Sequence, residues 1–494
     1  MRAMFTGAIV CALAAAPALA QNMPVWRGYA GNAQHSAPAP RKAKPLNSIR
    51  WKIPVDTTAS GSTFLIHFGS PMITASNTVL VPVKTSTGGA FRIEAHSGKN
   101  GKKLWQAKSD FILAPHDWIP SFPAHLTAQN RLYFAGAGGT VYFRDTPDLK
   151  TGNTGQLAFY GLGLYEANKQ TFNSRVMIST PITADDAGNI FFGFEVQASN
   201  PANLKSGIAR IAADGTGSWV SAADASGDTH MLEVPQNCAP ALSADGSTVY
   251  IAVSDGSFGY LLGLNSTTLA QKFKVRLKDP KTNADGILSD DSSAAPVVGP
   301  DGDVYYGIIE SDPGQHNGRG WLLHYSANLA TTKTPGSFGW DDTPSVVPAS
   351  AVPSYSGSSP YLLMSKYNNY FGFGNGNGHN EIAILAPDDT QQDRFSSATV
   401  MKEIMTKVNP THVPGQPQGV VYEWCINSAV VDAAGKAVIA NAEDGSTYRW
   451  DLVTGDIKAI ALNQPTFEAY TPTEIGPDGT VYAINDAILY ALGK

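Results

Sequence analysis

Cysteine is scarce in this chain, with three in 494 residues, and one of them, Cys11, lies inside an apolar stretch at the N-terminus. The remaining two, Cys238 and Cys425, are too few for a disulfide-framed scaffold, and no Cys-x-x-Cys-His run attaches a haem. Charge is sparse too: only 15 % of residues carry one, and the balance of −6 is spread without runs of either sign. A basic footprint for nucleic acid is therefore absent. Beyond the N-terminus no segment approaches the roughly 20 apolar residues of a membrane helix, so no integral membrane contact is expected. No Gly-x-Ser-x-Gly elbow, His-Glu-x-x-His zinc motif or phosphate-cradling Gly-Lys-Thr loop occurs. Gly372-x-Gly374-x-Gly376 lacks the strand-to-helix context of a nucleotide loop.

What the chain does have is 48 glycines and a recurring unit. A small residue and Pro open a strand, a turn follows, and a second, more apolar strand comes after it. The units start at Ser70-Pro71, Phe122-Pro123, Thr180-Pro181, Ala239-Pro240, Ala295-Pro296, Thr343-Pro344, Asn427-Ser428 and Thr471-Pro472. Asp245-Gly246, Asp301-Gly302 and Asp478-Gly479 supply turns that need φ > 0. Runs such as Val79-Leu80, Ile190-Phe191, Val249-Tyr250, Val304-Tyr305 and Val481-Tyr482 suit buried strands. A period of roughly 40 to 50 residues built of short strands marks a β-propeller. The expected fold is all-β: an eight-bladed propeller of four-stranded antiparallel blades, with seven blades as the rival. The interval of 84 residues from Pro344 to Ser428 must hold an insertion or a further blade. The last unit ends at Ile488-Leu489-Tyr490-Ala491-Leu492, one strand short, and Ser48-Ile49-Arg50-Trp51-Lys52-Ile53 is expected to supply it, pairing the two ends of the chain.

These residues resemble the pyrroloquinoline quinone (PQQ)-like repeat family. The match is carried by Pro477-Asp478-Gly479-Thr480-Val481-Tyr482, Leu489-Tyr490-Ala491-Leu492, Asp451-Leu452-Val453-Thr454-Gly455 and Gly101-Lys102-Lys103-Leu104-Trp105. Trp26-Arg27-Gly28 and Gly31-Asn32-Ala33-Gln34-His35-Ser36 are similar to that family's lead-in before the first blade. The resemblance implies the fold. Its quinoprotein alcohol dehydrogenases hold PQQ over Ca²⁺ in the channel, with an Asp as base and typically an adjacent pair of disulfide-bonded cysteines over the quinone. This chain has no Cys-Cys pair, which counts against PQQ as its cofactor. Another relative with the same repeat is a lipoprotein that serves as a docking platform in outer-membrane assembly.

Residues 1–20 combine Arg2, an apolar stretch from Ala8 to Ala15 and Ala18-Leu19-Ala20, the pattern of a secretory signal cleaved after Ala20. Ile9-Val10 before Cys11 do not suit a lipoprotein cleavage site. The protein is expected to be periplasmic or secreted, with a lead-in at 21–47 and the propeller at 48–494. Pairing of Cys238 with Cys425 would require the long segment before Cys425 to fold inward, because Cα atoms must come within about 7 Å.

In propellers the loops feeding each first strand share a face with the loops between second and third strands, where ligands bind. Candidates on that face are His116, Asp117, His230, Glu423 and Glu468 for acid/base work. Trp118, Arg175, Asn237, His316 and Trp424, with the aromatic, Gly/Asn-rich flap of Tyr367, Tyr370, Phe371, Phe373 and His379, are candidates for ligand contact. Asp290, Asp291, Asp341 and Asp342, on the feeding loops of neighbouring blades, could converge on Ca²⁺. The favoured reading is an exported platform that binds an unidentified protein, small molecule or carbohydrate without catalysis. A PQQ/Ca²⁺-dependent dehydrogenase and a carbohydrate-active lyase or hydrolase are the alternatives.

Overall fold

The β-branched and aromatic run of each repeat becomes the buried second strand of a blade: Thr78–Lys84, Leu132–Ala135, Ile190–Val196, Thr248–Ser254, Val304–Ile308, Tyr361–Tyr367, Ala437–Asn441 and Val481–Asn485. In the computed structural model, which describes residues 23–58, 69–86, 89–116, 122–288, 294–426, 428–465 and 472–494, eight antiparallel sheets follow in chain order and form an eight-bladed β-propeller. Eight repeat starts thus correspond to eight blades, and the seven-bladed alternative falls. Ile49–Pro54 closes the ring as the outer strand of blade 8, pairing antiparallel with Ile488–Leu492 in the register Trp51↔Ala491 and Ile53↔Leu489.

Two blades depart from four regular strands. In blade 3 the first strand is split into Val176–Ile178 and Thr183–Ala184, both paired with Ile190–Val196. Blade 5 has three strands, and its outer position is held only by the bridges Leu322↔Gly336 and Tyr325↔Thr332. The long sixth interval holds no further blade. It is spent partly on a hairpin of 12 and 10 residues, Glu381–Gln392 and Thr399–Val408, in blade 6. The end of this hairpin packs on the irregular edge of blade 5: Asp393 accepts from His316 Nε2 at 3.0 Å and from Ser337 Oγ at 2.5 Å, and Met401 N–H donates to Pro335 O at 2.8 Å.

The lead-in is part of the propeller. It visits the blades in chain order. Trp26 bridges Ile73 of blade 1, and Arg27 O accepts from Leu126 N of blade 2 at 2.7 Å. The Arg27 guanidinium reaches Ala184 O (3.1 Å) and Asp186 Oδ1 (2.8 Å) of blade 3. Ala33 O, Gln34 O, Ser36 O and Ala37 O accept from Leu242, Val298, Val346 and Val431 of blades 4 to 7 at 2.7–3.1 Å, and Lys44 N donates to Gly479 O of blade 8 at 2.8 Å. The small residues ahead of Pro240, Pro296 and Pro344 have a reason. Ala239 and Ala295 pack on Tyr29 and Ala30, and Thr343 Oγ1 meets Tyr29 Oη at 2.7 Å. Gly28 is equally constrained: at φ +152° a Cβ there would lie 2.8 Å from His125 Nδ1.

Trp26 is fully buried among Ile73, Val79 and Val481. Trp26→Ala is expected to cost about 3–5 kcal/mol, to be measured as a fall in denaturant midpoint. An unchanged midpoint would mean the lead-in is not coupled to the blades.

Candidate functional site

The side chains of interest sit on the loops that feed the first strands and on those joining second to third strands, next to Tyr29 of the lead-in, whose Oη meets Thr343 Oγ1 beside Asp342 at 2.7 Å. The loop feeding blade 6 supplies Asp341 and Asp342. Both are fully buried, and Asp341 holds the left-handed φ of +56° that Asp tolerates better than most residues. Asp342 Oδ2 accepts from Ser365 Oγ at 2.7 Å. Lys366, next to the end of the second strand of blade 6, is buried with its Nζ 3.9 Å from Asp341 Oδ2.

The segment feeding blade 7 supplies Glu423 and Cys425 around an anchor. Trp424 is fully buried against Tyr448, its N–H donates to Asn368 Oδ1 at 3.2 Å and its Nε1–H to Asn380 O at 3.2 Å. Glu443, from the loop between the second and third strands of blade 7, donates its backbone N–H to Glu423 O at 3.2 Å and accepts the Cys425 thiol. One donor atom each from Glu423, Cys425 and Glu443 lie within 4.8 Å of one another.

Burial sets the protonation of this cluster. It pushes Asp342 and Glu423 up to about 7, against the pull of Lys366 in both cases. It holds Glu443 well above the ordinary carboxyl value, with Glu423 adding to the effect, and raises the Cys425 thiol with Glu443 as second cause. Burial alone would lower Lys366, but Asp341, Cys425, Asp342 and Glu423 together keep it above its ordinary value and charged. Tyr370 stands beside the cluster; burial raises its phenol, reinforced by Glu423, Cys425 and Asp341.

The structure thus brings together Asp341, Asp342, Glu423, Tyr370 and Cys425 from the sequence candidates. Asp117, Trp118, Asp290, Asp291 and Glu468 lie outside the described residues. The others are elsewhere or occupied. His116 is exposed, its Nδ1 on Ala114 O at 2.8 Å, and His230 is exposed beside Asp228 at 2.9 Å. Arg175 donates to Ser199 O, and Asn237 N–H to Ser179 O at 3.1 Å. His316 is fully buried, stacked on Trp321 with ring centres 3.9 Å apart. Tyr367 is buried under the Arg319 guanidinium and donates to Glu403 at 2.6 Å. His379, Phe371 and Phe373 are exposed. Their flap is tied down by asparagines: Asn369 Nδ2 donates to Asn377 Oδ1, Asn317 Nδ2 to Asn369 Oδ1, and Asn380 Nδ2 to Val421 O, all at 2.7–2.8 Å. The Cys238–Cys425 pairing is corrected. Both are buried free thiols with different partners, Tyr306 for Cys238 and Glu443 for Cys425.

Lys366 and Glu443 are absent from the sequence candidates. Lys366 had a signal, as a lysine inside the otherwise neutral strand Tyr361–Tyr367. Glu443 had none, since it resembles an ordinary acidic turn residue before Asp444-Gly445.

No family model and no curated protein matches the chain. Solved structures do. The quinohemoprotein alcohol dehydrogenase of Comamonas testosteroni aligns at TM-score 0.51 and 10 % identity, covering 95 % of this chain and 81 % of that one. A europium-containing methanol dehydrogenase aligns at 0.54 and 9 %, covering 94 % and 89 %, and a quinohemoprotein alcohol dehydrogenase of Pseudomonas putida HK5 at 0.53 and 11 %, covering 97 % and 77 %. The likeness is one of fold.

A quinone held over a hard cation does not fit this cluster. Hard cations take oxygen ligands, whereas the converging donors here include a thiol. Asp341 already faces the Lys366 ammonium, and Asp342 the Ser365 hydroxyl. PQQ is itself a polycarboxylate and would meet buried carboxyl groups.

Two pH effects follow. A carboxyl whose folded value is raised contributes stability below its unfolded value and loses it as pH climbs to the folded one. For Asp342, moving from 3.8 to about 7, the loss reaches at most about 4 kcal/mol. Asp342→Asn should escape it, so the variant gains on the wild type in denaturant midpoint as pH rises through this window. Glu474, on the first strand of blade 8, is fully buried with both carboxyl oxygens unpaired among the described residues, and burial holds it well above its ordinary value. Glu474→Gln should therefore be more stable than the wild type at neutral pH and not at about pH 4; equal stability at both would place the charge of Glu474 in solvent.

Proposed function

We propose that this protein is an exported propeller that binds a small positively charged ligand, a metal ion or an organic amine, in the acid-lined pocket between blades 6 and 7, beside Tyr29 of the lead-in. One observation carries the reading: four carboxyl side chains, Asp341, Asp342, Glu423 and Glu443, are gathered in a largely buried place with Lys366 as the cation that faces them. Buried charge demands a partner of opposite sign, a proton or a bound cation. Export rests on the signal pattern of residues 1–20. No helix among the described residues is long and apolar enough to cross a membrane.

The dehydrogenase alternative draws on the fold likeness and the carbohydrate-active one on the exposed Phe371 and Phe373. One experiment separates the three. The chain from Gln21 onward is titrated by calorimetry and thermal unfolding with divalent ions, polyamines and amino sugars, then with neutral sugars, and with PQQ plus Ca²⁺ or a lanthanide and a dye acceptor. Cations should stabilise it saturably, by about 2.7 kcal/mol at a hundredfold excess over Kd, and an Asp342→Asn, Glu423→Gln double variant should lose the effect. Quinone binding with dye reduction, or a response to neutral sugars alone, would overturn the proposal.

A further inference from the structure

We infer that Glu423, Cys425 and Glu443 form a thiolate-containing transition-metal centre, suited to Zn²⁺ or Co²⁺ rather than Ca²⁺, with a coordination position left for water or a substrate oxygen. The inference rests on the cation-binding reading above and names the ligand that site takes.

Donor chemistry comes first. The one carboxylate oxygen from each glutamate and the Cys425 sulfur lie within 4.8 Å of one another. Zinc is held by sulfur at about 2.3 Å and by carboxylate oxygen at about 2.0–2.2 Å; modest side-chain rotation closes the present spacing onto such an ion. A soft sulfur with two oxygens selects against Ca²⁺, which takes six to eight oxygens. Three protein donors leave the fourth tetrahedral position open, the arrangement of catalytic rather than structural zinc.

A further observation concerns what these side chains lack. Glu443 is 8 % exposed, and among the described residues its carboxyl meets no hydrogen-bond donor other than the Cys425 thiol, itself one of the three. The Glu423 carboxyl meets no donor among the described residues. A buried carboxyl normally has its lone pairs satisfied; among the described residues Glu443 finds only the thiol of the same trio, while Glu423 is half-buried.

The backbone fixes the trio before any ion arrives. Trp424, locked by Asn368, Asn380 and Tyr448, sits between Glu423 and Cys425, and the Glu443 N–H bond to Glu423 O holds the third residue in place. Coordination replaces the Cys425 S–H bond by a sulfur–metal bond and releases that proton to solvent, along with any proton on the two carboxyls. The charge that remains on the ligand set after a divalent ion binds is of the sign that Lys366 offsets.

The test uses the full mature chain, stripped of metal with a chelator and titrated with Co²⁺, then Zn²⁺. One equivalent of Co²⁺ should raise a near-ultraviolet thiolate-to-metal charge-transfer band together with visible bands of tetrahedral intensity, and Zn²⁺ should displace it. Cys425→Ser should abolish the charge-transfer band and weaken Zn²⁺ binding by about 100-fold or more, since even outer-shell changes cost about 10–100-fold. Cys238→Ser, a buried thiol elsewhere, should retain both. The wild-type band needs no variant to be judged, so a poorly folding Cys425→Ser leaves the test intact. Binding without a thiolate band, a preference for Ca²⁺ over Zn²⁺, or no bound metal overturns the inference. If polyamines still bind the metal-free protein in that case, the pocket reading survives alone; if no cation binds, both fall.

Discussion

The first strand of every blade points one free edge at the channel, and its N–H and C=O groups there must be met by something other than a neighbouring strand. The lead-in meets them. From Trp26 to Lys44 a single stretch of chain bonds to each of the eight blades in turn, and Ile49–Pro54 then completes blade 8 from outside. The N-terminal segment therefore closes the ring twice, once along the axis and once at the rim. Its demands spread outward into the repeats: an alanine or threonine ahead of the proline where Tyr29 passes, a glycine at 28 where His125 is close.

That plug also gives the molecule a direction. Tyr29, Ala30 and His35 fill the channel itself, and the loops around its mouth are left to specialise. Blades 6 and 7 carry the consequences. Blade 6 lengthens its outer hairpin and packs it against the thin edge of blade 5, which brings His316 and Asp393 into a buried pair far from any surface. The flap of the same blade is pinned by asparagines to Val421, just ahead of Glu423, so the segment that delivers Glu423 and Cys425 is held from both sides.

The cluster so formed is electrostatically expensive. Carboxyl groups are assembled where water is scarce, and the protein balances them with Lys366 and with retained protons. Perturbed acids, a charged lysine and a thiol in one recess are the observation on which the binding proposal rests. The fold is like that of quinohemoprotein alcohol dehydrogenases, but folds host sites and do not dictate them.

Strand periodicity is a local property. The alternation and β-branched runs of Val249-Tyr250 or Val481-Tyr482, the Asp-Gly turns and the missing last strand made eight blades and their closure legible from the amino-acid order alone. Part of the site was legible too, because Asp341, Asp342 and Glu423 lie on loops that any propeller turns to one face. Glu443 was not, nor were the separate partners of Cys238 and Cys425, and Lys366 showed only as a lone charge in an apolar strand. Their roles depend on how far each loop reaches toward the axis and on which neighbour it leans, and those distances are set by packing between blades that no single repeat encodes. The sequence by itself thus determined the architecture, through hydrogen-bonding and burial patterns that repeat every few residues. Only the tertiary structure decided which charges share a low-dielectric recess, because that depends on contacts between residues carried by different blades and far apart along the chain.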